Sequence, residues 1–248
     1  MVNLHELVAF CDEFLESARF QDYCPNGLQV EGRGEVRRIV SGVTASQALI
    51  DAAVAQDADL VLVHHGYFWR GEDPRIIGMK ARRLAALLGN RISLLAYHLP
   101  LDAHPEIGNN ARLAVDLQLA VHGRFGAAEV AMYGEVSSVT SGEEFARRLT
   151  SHLGRAPLHI AAERPIQRVG WCSGAAQDYL EQAAALGLDA YVSGEISERT
   201  FHVAREQGIH YFAAGHHATE RYGVQALGER LAQRFRLIHI FVDEANPA

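Results

Sequence analysis

The chain has 248 residues, 48 % of them hydrophobic and 21 % charged, with 23 Lys+Arg against 30 Asp+Glu and a formal charge of −7. These values sit near the averages for soluble globular proteins and exclude collagen, coiled coil and a disordered chain. The acidic balance, with the basic pairs Arg37-Arg38, Arg82-Arg83 and Arg147-Arg148 isolated from one another, argues against nucleic acid as a partner, because that needs a basic stripe.

In chain order, residues 1–6 lack the pattern of a secretory signal, and no apolar run approaches the roughly 18 residues of a membrane span. Cys11, Cys24 and Cys172 are scattered, with no CxxC, which suits a reducing compartment. A cytoplasmic protein with no membrane partner is expected. The first patterned stretch begins at Arg38 (RIVSGVTASQALIDAAVAQDADLVLVHH) and reads as strand, small-residue turn, amphipathic helix and second strand. Leu49, Ala52, Ala53 and Val54 give the helix its apolar spacing. A third short strand over 92–97 runs into His98, and Asn109 or Asn110 is a suitable N-cap for a helix over 111–117. The pattern then weakens from about Gly123 to Pro165. A boundary is expected near His122-Gly123-Arg124, giving domains 1–124 and 125–248, with a helix from Ser141 whose Glu144 completes a capping box.

From Arg168 (RVGWCSGAAQDYLEQAAALGLDAYVSGE) the first pattern returns with a shift of 130 residues, Gln47 matching Gln177, Ala53 matching Ala183 and Asp59 matching Asp189. Residues 210–214 repeat the strand over 92–97, and Thr219 is placed to cap a helix running to about Phe235. Strand–helix–strand alternation at this spacing implies βαβ units. The fold class expected is α/β, two related domains with mostly parallel or mixed sheets.

Ligands of parallel α/β sheets bind where loops leave the carboxyl ends of strands. Here residues 60–63 are followed by His64 and His65, and residues 94–97 by His98 with Asp102 four residues on. Residues 191–193 lead to Glu195; residues 211–214 lead to His216 and His217, with Glu220 four beyond His216. Each alone is an ordinary hydrogen-bonded strand end. Together the imidazoles and carboxylates suit zinc, iron, manganese or nickel better than magnesium or calcium. Adjacent strand residues point to opposite faces, so His64 and His65 are expected to serve two neighbouring ions rather than share one. The minimal set is His64, His65, Asp102, His216 and Glu220. If one carboxylate bridges, each of two divalent ions has three protein ligands and keeps positions open, as catalytic sites do.

His98 is then a sixth ligand, an orienting residue or a general acid. Glu195 contacts substrate or acts as base, or else pairs with Arg199 one turn on. His217 reads as structural or as support behind a ligand, and Tyr67, Phe68 and Trp69 either stack a base or pack. Phosphate-loop, dinucleotide and nucleophile-elbow motifs are absent, and no imidazole stands at a spacing that would activate a cysteine.

Five segments carry a family resemblance. They are Tyr23-Cys24-Pro25-Asn26-Gly27-Leu28-Gln29-Val30-Glu31-Gly32, Val43-Thr44-Ala45-Ser46, Val63-His64-His65-Gly66-Tyr67-Phe68-Trp69, His98-Leu99-Pro100-Leu101-Asp102-Ala103-His104 and Gly215-His216-His217-Ala218-Thr219-Glu220. The chain resembles the NIF-three dinuclear metal-centre family, in its short bacterial YbgI-type branch, whose members carry the label GTP cyclohydrolase type-two homologue. The resemblance implies two α/β domains with a metal pair in the cleft between them, held by His64, His65, Asp102, His216 and a bridging Glu220. It also implies a toroidal homohexamer built as a trimer of dimers. The expected function is a metal-dependent hydrolase acting on a small nucleotide-like or phosphate-bearing substrate through a metal-bridging hydroxide, with His98 assisting. The alternatives are a cyclohydrolase-type ring opening, or a non-catalytic toroidal adaptor or metal chaperone.

Overall fold

The repeated strand–helix–strand pattern folds twice into the same βαβ unit. In the computed structural model, which describes residues 1–248, the strand Arg38–Thr44 pairs in parallel with Leu60–His65, and Ile166–Cys172 pairs in parallel with Ala190–Ser193. The registers agree residue for residue under the 130-residue shift: Ile39 faces Leu60 as Val169 faces Ala190, and Gly42 faces Val63 as Cys172 faces Ser193. A third parallel strand follows in each copy, Ser93–Ala96 and His210–Ala213, and an antiparallel strand lies beyond it, Gly27–Val30 and Leu158–Ile160.

The copies diverge on the other edge. The first sheet gains Ile238–Phe241, parallel to Arg38–Thr44. The second gains Ala131–Thr140 and then Leu119–Phe125, both pairings antiparallel. The chain accordingly groups into one unit of Met1–Leu101 with Gly223–Ala245 and another of Asp102–Tyr222 with Asn246–Ala248. The cut expected at 124/125 falls inside the strand Leu119–Phe125, so the structure groups these residues differently.

Leu60, Val61, Leu62 and Val63 are all fully buried, which explains an unbroken apolar run where a half-exposed strand would alternate. On one face, Val61 and Val63 pack with Leu49, Ile50 and Ala53 of the helix Gln47–Ala55 and with Leu84 and Leu87 of the helix Gly78–Gly89. The second sheet buries Trp171, Val192 and Phe212 against Phe145 and Leu149 of the helix Gly142–Leu153. Tyr191 and Tyr211 of the same sheet belong to a cluster with Leu180 and Ala183. No helix is long and apolar enough to cross a membrane.

Ser141 caps its helix, its hydroxyl accepting from the Glu144 N–H at 3.2 Å, without the return bond from the Glu144 side chain that the expected capping box adds. Two expected caps are otherwise employed. The helix Asn109–Asp116 is preceded by Gly108, which leaves Asn109 and Asn110 fully buried in its first turn. Thr219 ends a short separate helix, His216–Thr219, before Arg221–Phe235 begins. Its hydroxyl donates to the Gly215 carbonyl at 2.9 Å and accepts from the Gly174 N–H at 3.0 Å. In both places a tertiary partner outcompetes local capping.

Candidate metal centre

In the first unit, three imidazoles gather at the carboxyl ends of the parallel strands. His64 is fully buried, and its Nδ1 donates to the Tyr97 carbonyl at 2.9 Å, which leaves the ring's lone pair on Nε2. His65 Nδ1 lies 3.2 Å from Thr44 Oγ1 on the neighbouring strand. His98 Nδ1 sits 2.7 Å from Asp22 Oδ1. Ring centroids are 4.6 Å apart for His64–His65 and 5.1 Å for His64–His98. The donor atoms of the three lie within 4.8 Å of one another. Strict strand alternation thus relaxes at the last residue, and both imidazoles of the pair turn toward His98. Trp69 closes one side, its ring edge-on to His98 at 5.0 Å. Tyr67 is buried and packs, its hydroxyl donating to the Ala45 carbonyl at 2.7 Å, while Phe68 is partly exposed beneath Lys80.

Asp22, absent from the expected set, organises this corner. It accepts from Asn26 Nδ2 at 2.9 Å and from the Leu99 N–H at 2.9 Å as well as engaging His98. Burial alone would raise its pKa, but the hydrogen bond and charge of His98, with those from Asn26 and Leu99, outweigh burial and hold it at about 2. Nothing periodic in the sequence marks this loop aspartate; only its position beside Tyr23-Cys24-Pro25-Asn26 hints at a role. Cys24 next to it is no nucleophile, since burial and then Asp22 push the thiol up to about 12.

In the second unit, Asp102 is buried in the helix Leu99–Ala103, and its Oδ1 accepts from Asn109 Nδ2 and Ser173 Oγ, each at 2.8 Å. Asn110 completes the support, its Oδ1 accepting from the Ser173 N–H at 2.8 Å while its carbonyl takes Trp171 Nε1 at 2.9 Å. The two asparagines that looked like helix caps are therefore the residues that aim Asp102. His216 bridges two carboxylates, with Nδ1 at 2.7 Å from Glu195 Oε1 and Nε2 at 3.1 Å from Glu220 Oε2. Burial would lower its pKa; Glu220 and Glu195 together outweigh that and raise it to about 9.

Glu195 does not pair with Arg199, which engages Asp178 at 2.5 Å. Gly174 lies at φ +64, and a Cβ there would fall 2.2 Å from Glu220 Oε1. The glycine makes the space that Glu220 fills.

The donor chemistry of both units fits first-row divalent ions. Imidazole and carboxylate ligands bind zinc at about 2.0–2.2 Å, and each ligating ring needs its other nitrogen fixed by an acceptor. His64, His65, His98 and His216 are all anchored through Nδ1, by a carbonyl, a hydroxyl and two carboxylates.

Two α/β units of common design, each with imidazole or carboxylate groups at the carboxyl ends of its strands, define a candidate metal-binding α/β protein. The chain belongs to the Duf34/NIF3 (NGG1p interacting factor 3) family, whose model matches residues 2–247. It is 58 % identical over 250 residues to a Pseudomonas aeruginosa protein called GTP cyclohydrolase 1 type 2 homolog, covering 100 % of this chain and 99 % of the relative. The solved ybgI structure, described as of unknown function, matches with TM-score 0.97 and 51 % identity over 100 % of both chains. A solved Thermus thermophilus protein, TTHA1606, matches with TM-score 0.91 and 34 % identity, again over 100 % of both. The family and the α/β class expected from the sequence are both met.

Proposed function

We propose that this chain is a metal-dependent hydrolase in which His64, His65, Asp102, His216 and Glu220 hold two divalent ions and the substrate is a small nucleotide-like or phosphate-bearing molecule. The observation that carries the reading is the shared Nδ1 anchoring of the four imidazoles, the arrangement a ligating or proton-transferring ring requires. When bound, the ions supply Lewis acidity and lower the pKa of water. The chain's own groups do the positioning. Asn109 and Ser173 fix Asp102, Glu195 orients His216, and Asp22 holds His98 so that its Nε2 gives or takes a proton. The name carried by the Pseudomonas aeruginosa relative supports a narrower version, hydrolytic opening of a purine ring.

The proposal extends to self-association as a homohexamer. Ile76, Ile77 and Met79 are each more than half exposed, a run of apolar surface typical of contacts between copies. Analytical ultracentrifugation checks it: six chains per particle is expected, and a monomer at micromolar concentration removes it.

The decisive experiment is metal content by elemental analysis on wild type and Glu220→Ala, purified without added metal. Two ions per chain, falling sharply in the variant, is the expected result. Wild type with almost no metal even after loading, or turnover that survives metal stripping, would overturn the reading.

A further inference from the structure

The amino ends of the first unit's parallel strands, the end away from His64 and His65, line an open cavity of about 740 Å³. Arg38 and Ile238 begin two of its strands, and Asp59 and Arg91 lie just before the other two. Four arginines line it, Arg33, Arg37, Arg38 and Arg91, in a chain whose net charge is −7.

Two of the three acids there are already committed. Asp59 accepts from the N–H groups of Arg37 and Arg38 at 2.8 and 3.1 Å and from Arg33 Nη1 at 2.8 Å. Asp57 pairs with Arg33 Nη2 at 3.5 Å. Only Glu35 remains to set against Arg37, Arg38 and Arg91. The Arg37 guanidinium donates only to the Met1 thioether, at 3.3 Å. The Nε–H groups of Arg33 and Arg38 are buried and meet no acceptor, although a buried donor without a partner is costly.

The second unit shows which of these groups the fold itself needs. Asp189 accepts from the N–H groups of Gln167 and Arg168 at 3.0 and 2.8 Å and pairs with Arg164. Arg168 donates to the Gly187 carbonyl much as Arg38 donates to that of Gln56. One aspartate, one arginine partner and two N–H groups therefore suffice to tie the strand ends. The surplus in the first unit is Arg37, where the second has Gln167, and Arg91, where the second has Gly208. The latter match follows from hydrogen bonding: Ser93 N–H reaches the Asp59 carbonyl and His210 N–H that of Asp189. Gly208 has φ +61 and Arg91 has φ +55, a left-handed conformation that favours glycine over any side chain.

We infer that this cavity binds a phosphoryl-bearing anion, which Arg37, Arg38 and Arg91 hold by charge-assisted hydrogen bonds. Guanidinium groups match phosphate oxygens in fork geometry, and a cavity of this size suits a phosphorylated small molecule rather than a single ion. The site is independent of the metal reading, because it lies at the opposite end of the sheet and uses none of the same residues.

Isothermal titration of the full chain with inorganic phosphate and with pyrophosphate, at constant ionic strength, tests it. One saturable arginine-dependent site per chain is expected, tighter for pyrophosphate and separate from any uptake at the metal centre. Arg37→Gln and Arg91→Gly, each installing the residue that the second unit uses, should each weaken binding at least tenfold. Neither should lower the melting temperature without ligand. His64→Ala should leave the arginine-dependent binding unchanged. Wild type that takes up neither anion, binding that neither arginine substitution weakens, or binding lost only in His64→Ala would overturn the site.

Discussion

Glu195 shows how one exposed carboxylate can govern a half-buried candidate ligand, His216. Its Oε1 sits 2.7 Å from His216 Nδ1, and after Glu220 it is the second carboxylate that holds the imidazole's proton up to about pH 9. On the proposed reading a metal ion must displace that proton, so metal uptake should rise with pH up to that value. Replacing Glu195 by Gln has two separable effects. The ring loses its orienting anion, and metal affinity falls about 10–100-fold. The proton is also held less tightly, so the pH midpoint of uptake moves down. Zinc competition against a chromophoric chelator across about pH 6–10 measures both; an unchanged midpoint would show that Glu195 is a bystander. Asp22 plays the matching part for His98, again at 2.7 Å. Neither role was legible in the sequence, since an orienting carboxylate is recognised by what it touches. The ligand candidates themselves were legible, because strand-end histidines interrupt apolar runs in a conspicuous way.

At the scale of elements, Asp59 and Asp189 are twin clips across parallel strand ends. Each accepts two successive backbone N–H groups from the adjacent strand start, Arg37 and Arg38 in one case, Gln167 and Arg168 in the other. Burial would raise the Asp59 pKa, but the hydrogen bonds from Arg37, Arg33 and Arg38 prevail and lower it. The folded value thus lies below the unfolded one near about 3.9. The stabilisation is fully present above that pH and is lost as pH falls through the folded value. Asp59→Ala should cost about 2–4 kcal/mol at pH 7, since it strands two backbone donors and an arginine. The deficit should shrink in acid. Thermal melts of both proteins at pH 7 and near pH 3 check this, and a constant difference would remove the carboxylate from the account. The correspondence of Asp59 with Asp189 was visible as a repeat. What the pair does was hidden, because its partners are main-chain atoms that carry no side-chain signature. The asparagines at 109 and 110 misled for the converse reason: their type suits a cap, but a buried aspartate outbids the helix end.

The whole chain hides one further fact from a linear reading. The first sheet is completed by Ile238–Phe241, paired with Arg38–Thr44 about 200 residues earlier. Helix residues Val224, Leu227 and Leu231 are fully buried, and Phe235 meets Phe10 edge-on at 5.5 Å. Local periodicity contains nothing that reports such a distant pairing, so a single cut was the natural expectation. A fragment of residues 1–101 should therefore lack a cooperative melt, because it exposes an edge strand and the apolar surface covered by residues 223–245. Residues 102–222 hold all six strands of the other sheet and should melt cooperatively alone. Circular dichroism of the two fragments decides the matter; a stable 1–101 would show the return segment to be dispensable.

This return also sets a schedule. A ribosome delivers the chain from its amino end, and domains ordinarily fold in the order they emerge. Here the unit that starts first finishes last, since its outer strand is translated after the whole of residues 102–222. For much of synthesis the backbone edge of Arg38–Thr44 has no partner, and that interval is when a nascent-chain chaperone has most to do.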